Sequence, residues 1–369
     1  MKKFLFFYSF SIFKNLINPS MQKIVLVCLG FVCLNSFAQD TVKVKTALTS
    51  DQEAENAYNV GLELIDKKDY SMAIEQFTKA ISFKPNFDKA FASRGFAKFE
   101  SKSIDASIVD YNNALAINPI NTDALFGKAQ SYYTINKRDS SISYLSKTTF
   151  IDENYSKAFY LSGQISFEAG DYKYAISEYD KAIAAKKDYA YAYNDRASAK
   201  KQLGDDAGAI SDYEKALAID SKLYFTYNSL GSCKRNKADN KGAIDAYSKA
   251  INIKPDYYIA YNNRGTAKLN LNDIPGAIAD FDAALKQKPN YTLAMNNIAS
   301  AYIKKKDYKS AIEWANKALQ VDAKLGAAYL NRGIAKQMLK DEDGACADWK
   351  KASELGTSEG KHYSSGFCD

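Results

Sequence analysis

The sequence predicts an all-α chain, a solenoid of stacked helix-turn-helix units, and three observations carry that reading. Glycine or alanine recurs at 61, 95, 129, 163, 197, 231, 265, 299 and 333, a spacing of 34 throughout. Two further registers of small residues run in phase with it, from Ala73 through Ala209 and Ala277 to Ala345, and from Ala80 through Ala216 and Ala284 to Ala352. Between these points the apolar residues fall at helical spacing in two stretches per block. Nine blocks fill residues 54–359 with no insertion or deletion. One helix pair cannot bury its apolar faces alone, so the blocks must stack on one another.

Ahead of the repeats, residues 1–38 read as an address. Lys23 precedes an apolar run from Ile24 to Leu34, and Ser36-Phe37-Ala38 places small residues at −3 and −1 of a cleavage point. That is the secretory signal pattern, with Met21 as the expected start and cleavage after Ala38. The run is shorter than the roughly 20 residues a membrane span needs, so no stable span is expected after cleavage. An uncleaved two-segment anchor, divided at Pro19, is the competing reading. Lipidation is not expected, because Val27 and Val32 precede Cys28 and Cys33 where a small residue is wanted. The expected destination is a bacterial periplasm or the outer face of the envelope. Residues 39–53 form a short polar linker, and residues 360–369 a tail that caps the last block.

The block beginning at Tyr258 shows how each unit is built. Its first helix is expected to run to about Leu271, Asn272-Asp273 makes the turn, and the second helix runs from about Pro275 to Gln287. Pro275 suits a first helical turn, where its missing N–H is harmless, and Pro289 stops the helix. Tyr261, Arg264-Gly265, Ala277, Phe281, Ala284 and Pro289 together resemble the tetratricopeptide repeat, and most other blocks repeat the pattern with few departures. The resemblance covers about five-sixths of the chain. It implies an open right-handed superhelix whose first helices line a concave groove, and a protein or peptide as partner. Block 122–155 departs most, with Ser141, Thr148 and Glu153 where Ala, Ala and Pro are usual, and is expected to be the least regular.

A correlation inside the repeat points to a contact. Arg94, Arg196, Arg264 and Arg332 share one block position, and sixteen residues later the same four blocks carry Asp110, Asp212, Asp280 and Asp348. The other five blocks have neither residue at those places. Four matches in four predict structural ion pairs across the helix pair.

Recognition is the chemistry the sequence offers. On the face of the first helices opposite their partners, Asn194, Asn228, Asn262 and Asn296 recur at a spacing of 34, with Asn263, Asn297 and Asn331 in a row beside them. An amide carries both a donor and an acceptor, as a peptide backbone does, so the rows are candidates for holding an extended peptide. The alternative is that they bond to adjacent helices or water. In the first half of the chain Tyr58, Phe126 and Tyr160 occupy the corresponding positions. They either line an aromatic groove for a partner's apolar side chains or pack between repeats.

Composition excludes several functions. Four of the 50 basic residues and none of the 43 acids lie in residues 1–38, leaving a net charge of +3 for the rest, too balanced for a nucleic-acid partner. His362 is the single histidine, there is no Cys/His metal spacing, and no glycine-rich phosphate loop. No enzyme activity, cofactor or small-molecule substrate is expected. Cys233 takes a slot filled elsewhere by alanine and is expected to be buried. Cys346 and Cys368 are either bridged, tying the tail over the open end, or free thiols.

Overall fold

The computed structural model describes residues 48–368, which hold nineteen helices and no strand. In chain order they are α1 (Ser50–Asp66), α2 (Tyr70–Phe83), α3 (Asp88–Glu100), α4 (Ile104–Ile117), α5 (Thr122–Thr134), α6 (Arg138–Ile151) and α7 (Ser156–Glu168). There follow α8 (Tyr172–Ala185), α9 (Ala190–Gln202), α10 (Asp206–Ile219), α11 (Tyr224–Asn236), α12 (Asn240–Ile253) and α13 (Tyr258–Asn270). The last are α14 (Ile274–Gln287), α15 (Thr292–Lys304), α16 (Tyr308–Val321), α17 (Gly326–Met338), α18 (Glu342–Glu354) and α19 (Ser358–Phe367). The observed α13 and α14 lie within a residue of the expected bounds. The signal segment 1–38 lies outside the described residues. Helix α1 begins at Ser50, inside the stretch read as linker, because Thr49 and Gln52 form a capping box.

The turn inside each unit ends one helix and starts the next with two residues. The first is left-handed: Lys68, Lys102, Asn136, Gly170, Gly204, Ala238, Asn272, Lys306 and Lys340 all have positive φ, at the same spacing of 34. The second caps the following helix. Asp69, Asp171, Asp205, Asp239, Asp273, Asp307 and Asp341 each accept a hydrogen bond from the backbone N–H three residues on. Ser103 and Lys137 stand at the same place and make no such bond.

Packing follows from the small residues. The ring of Phe77, Tyr111, Tyr179, Tyr247, Phe281 or Trp349 on the second helix lies on Gly61, Gly95, Gly163, Gly231, Gly265 or Gly333 of the first, where no Cβ would fit. Each second helix then packs on the next first helix. Most successive first helices also touch one another, whereas successive second helices do not. The first helices therefore lie on the inner, concave side of the stack. Block 122–155 keeps the usual helix lengths, but it is the most loosely joined to its successor, as expected of it: α5 and α6 both pack less closely on α7 than the equivalent helices of other units do. Helices α5 and α6 have the usual 13 and 14 residues. Their buried hydroxyls are satisfied, Ser141 donating to the Ala129 carbonyl and Thr148 to that of Tyr144, both at 2.9 Å.

The two chain ends of the stack differ. At the C-terminal end α19 covers the last unit, with Tyr363 stacked on the buried Trp349 at 4.9 Å and Phe367 beside it. A disulfide joins Cys346 to Cys368, so the tail is tied down as the bridged reading required. Cys233 is fully buried, as expected.

The missing cap on α6 makes a prediction. Lys137→Asp supplies the carboxylate that seven other units have and removes a cation from a helix N-terminus. The urea midpoint of the full chain should rise, by about 1 kcal/mol of stability. A midpoint unchanged or lowered would show that the turn before α6 cannot adopt the shared geometry.

Candidate peptide-binding groove

The four expected ion pairs are present, and each does more than join two helices of one unit. Arg94, Arg196, Arg264 and Arg332 bond through Nε and Nη2 to both oxygens of Asp110, Asp212, Asp280 and Asp348, at 2.6–2.9 Å. The Asp side chains are buried. The remaining guanidinium nitrogen reaches back to the preceding second helix, to Thr78, Asp180, Ser248 and Asn316 respectively. A lysine one turn after each Arg (Lys98, Lys200, Lys268 and Lys336) completes the site, 2.7–2.9 Å from the same Asp. For Asp212, burial pushes the carboxyl pKa up, but the bonds from Arg196 and Lys200 outweigh it and hold the pKa below the ordinary carboxylate value. Each Arg is thus a staple between consecutive units. It sets the position of the first helices that form the inner face.

That face corrects the expectation of outward amides. Asn194, Asn262 and Asn296 are buried, because first helices of successive units pack against each other along this row. Asn263 donates to Asn228, Asn297 to Asn262 and Asn331 to Asn296, at 2.9–3.0 Å, forming rungs between residues 35 apart. Asn194 accepts instead from Thr226 at 2.8 Å. Each rung uses one amide oxygen and one amide nitrogen, so one donor and one acceptor of each asparagine pair remain for a ligand.

The same rung positions in the first half are filled differently. Tyr58 meets Ser93 at 3.4 Å, and Tyr160 donates to Asp195 at 2.6 Å. Burial raises the Asp195 pKa, and the bonds from Tyr160 and Asn194 offset this only in part. Phe126 is buried in an apolar cluster with Leu161 and Ile165. Tyr58 lies against Phe77 and Phe87, and Tyr160 against Tyr179 and Tyr189. These aromatics are therefore packed between units. Tyr58 and Phe126 nevertheless face a cavity of about 730 Å³ on the inner side, formed by α1, α3, α5 and α7 and the turn between α4 and α5. At its mouth Asp88 accepts from Asn118 and Asn121, and Asp123 from Tyr155. Burial acts to raise the Asp88 pKa, yet those amide bonds leave it lowered.

The sequence places Lys268 on the face toward the partner helix, but neither the bond of the four lysines to the Asp nor the backward partners of the Arg staples were read from it. A signal was there: all four Arg–Asp blocks carry Lys four residues after the Arg, and an oxygen-bearing side chain sixteen before it. Among the described residues no cluster of three potential metal ligands occurs, and no helix is long and apolar enough to cross a membrane.

Family models of the tetratricopeptide repeat match residues 54–87, 190–223, 226–257 and 262–330. Those four stretches match the tetratricopeptide repeat, a helix-pair unit of the kind that the packing shows. Proteins of this class are in general protein-interaction scaffolds. No curated protein matches the chain. Among solved structures it is similar to pilF of Pseudomonas aeruginosa, with 20% identity, 58% of this chain and 98% of that one covered, and a TM-score of 0.49. A tetratricopeptide repeat protein from Parabacteroides merdae aligns at 17% identity over 68% of this chain and 99% of its own, with a TM-score of 0.47. YrrB, described as having an unusual peptide-binding site, aligns at 17% identity over 51% of this chain and 96% of its own, with a TM-score of 0.46.

The staples are testable by comparing a single with a double replacement. Asp280→Ala strands two cations against an apolar interior and should destabilise the chain by about 3 kcal/mol. Replacing Arg264 by Ile together with Asp280 by Trp copies the apolar Ile298 and Trp314 of the next block and should cost less. Urea unfolding of both variants decides; a double variant less stable than Asp280→Ala would remove the ion-pair account.

Proposed function

We propose that the chain is a non-enzymatic interaction scaffold that holds a peptide segment or a protein partner against its concave face, in the cell envelope. The observation that carries the groove reading is the cavity between the first helices, large enough for several side chains and lined by both aromatic and polar groups. The amide rungs support it further along the same face, since each leaves a donor and an acceptor spaced along the stack. Export is supported by the signal pattern and by the Cys346–Cys368 disulfide, a bond that persists in oxidising compartments.

One observation favours a second reading, an assembly module that uses its outer surface. Phe150 is 91% exposed on a second helix and borders a shallow cleft with Pro119 and Leu125. Crosslinking in intact cells separates the two. Phe96→Asp with Lys157→Glu alters the cavity and should abolish partner capture, while Phe150→Asp should leave it intact. The reverse result would establish the outer surface as the binding face.

Location has its own measurement. N-terminal sequencing of the protein from the envelope fraction should read from Gln39; a chain that retains Ile24–Leu34 would restore the anchor reading.

A further inference from the structure

The seam between α3 and α5 differs from the others on the inner face through two absent side chains. Where other seams carry Tyr58–Ser93, Phe126–Leu161, Tyr160–Asp195 or an asparagine rung, this one has Ala92 and Gly127. The cavity opens there, and Tyr111 stands behind the gap.

Tyr111 is only 2% exposed, yet its hydroxyl has no hydrogen-bond partner among the described residues. Two equivalent tyrosines of later blocks are served within the chain. Tyr213 bonds to Ser198 at 3.0 Å and Tyr247 donates to Ser232 at 3.3 Å. Tyr179 makes no such bond either, and it lines a smaller cleft with the polar Gln164 and Asp195. At Tyr111 the place of Ser198 is taken by Phe96, and the polar residue that follows sixteen later is replaced by Gly127. A Cβ on Gly127 would stand 2.5 Å from the Tyr111 hydroxyl, so only glycine leaves that oxygen uncovered. A hydroxyl that opens on a cavity is met by water until a ligand displaces it, and a ligand that cannot replace that bond loses affinity.

We infer that this cavity anchors a tyrosine side chain of the partner peptide, with its ring between Tyr58, Phe96 and Phe126 and its hydroxyl on that of Tyr111. The inference rests on the groove reading above and names its specificity. The walls suit an aromatic ring. Phenylalanine or leucine would fill the space but leave the Tyr111 hydroxyl dry and unpaired, and a site of that kind discriminates against an analogue lacking the hydroxyl. Two phenols satisfy each other, since each can donate and accept.

Selection of random heptapeptides displayed on phage against the full chain is the test. Enriched peptides should share a tyrosine at one position. A synthetic winner should lose about tenfold in affinity, by fluorescence anisotropy, when that tyrosine becomes phenylalanine. With the Tyr111→Phe protein the two peptides should bind equally. Tyr111→Phe should melt no lower than the native chain, because no internal bond is lost, whereas Tyr213→Phe should melt lower. Enrichment without tyrosine, equal binding of the phenylalanine analogue to the native chain, or N-acetyltyrosinamide binding as well as the peptide would each overturn the proposal. If no peptide is enriched while Phe96→Asp still abolishes capture of the cellular partner, the tyrosine anchor fails and the groove reading stands.

Discussion

An aromatic ring laid on a glycine is the contact on which the rest of the structure depends. At Gly61, Gly95, Gly163, Gly231, Gly265 and Gly333 the second helix of the unit comes so close that a Cβ would meet the ring at 2.5–2.8 Å. Closeness here determines which other positions meet. Two blocks change both partners together, with Leu145 opposite Ala129 and Ala315 opposite Ala299, so a smaller group on the second helix accompanies a methyl on the first. A third block keeps the ring of Tyr213 against Ala197, so the crossing there accommodates a methyl as well. Helix pairs of equal separation can then stack at a fixed period, and a fixed period is what turns single residues into rows.

The arginine staples act on the next level, between units. A buried carboxylate bound by Arg and Lys is not by itself strong evidence of stability, since its desolvation offsets much of the attraction. What the geometry adds is direction. A planar guanidinium holding Asp280 with two nitrogens has its third nitrogen fixed in place, and that nitrogen points at Ser248 of the preceding unit. The ring of Tyr261 beneath it, 5.6 Å away, limits its remaining freedom. Where the staple is absent, apolar contacts substitute: Leu230 with Ala246, and Ile298 with Trp314. Lys128 takes a third course, bonding the Tyr144 hydroxyl at 2.7 Å.

Most of the fold was legible because a repeat displays each position nine times. The helix bounds of the block at Tyr258, the buried alanine rows and the Arg–Asp contacts follow from comparing blocks within one chain. What a period cannot say is which surface a row faces. Asn262 lies opposite its own second helix, which reads as outward, yet the next first helix covers it and Asn297 takes its oxygen. The same blindness affects Phe126, whose exposure is decided by Leu161 of the following unit. Serine and threonine in block 122–155 looked disruptive because their bonds to the Ala129 and Tyr144 carbonyls depend on helix geometry, which composition does not show. The cavity was the least legible feature, since it arises from the pairing of Ala92 with Gly127, two residues that are individually ordinary in a helix.

The inner face is therefore one line of positions filled in graded ways. Toward the C-terminus amide rungs close each seam, and the disulfide with Trp349 and Tyr363 fixes the end. Toward the N-terminus the rungs become a long Tyr58–Ser93 bond, then nothing at Ala92–Gly127, then an apolar Phe126–Leu161 contact. Cross-seam bonding is what couples neighbouring units in a chain whose stability is a sum of local terms. The seams near the C-terminus are thus closed by side-chain bonds, whereas at Ala92–Gly127 the two first helices approach through small residues without one. Binding surfaces tend to be drawn from the less stable parts of a structure, because a seam already closed by the chain's own groups has little left for a ligand. The two ends of the inner face are complementary on that argument: the rungs close one, and the gap at Gly127 leaves the Tyr111 hydroxyl open to the cavity of the other.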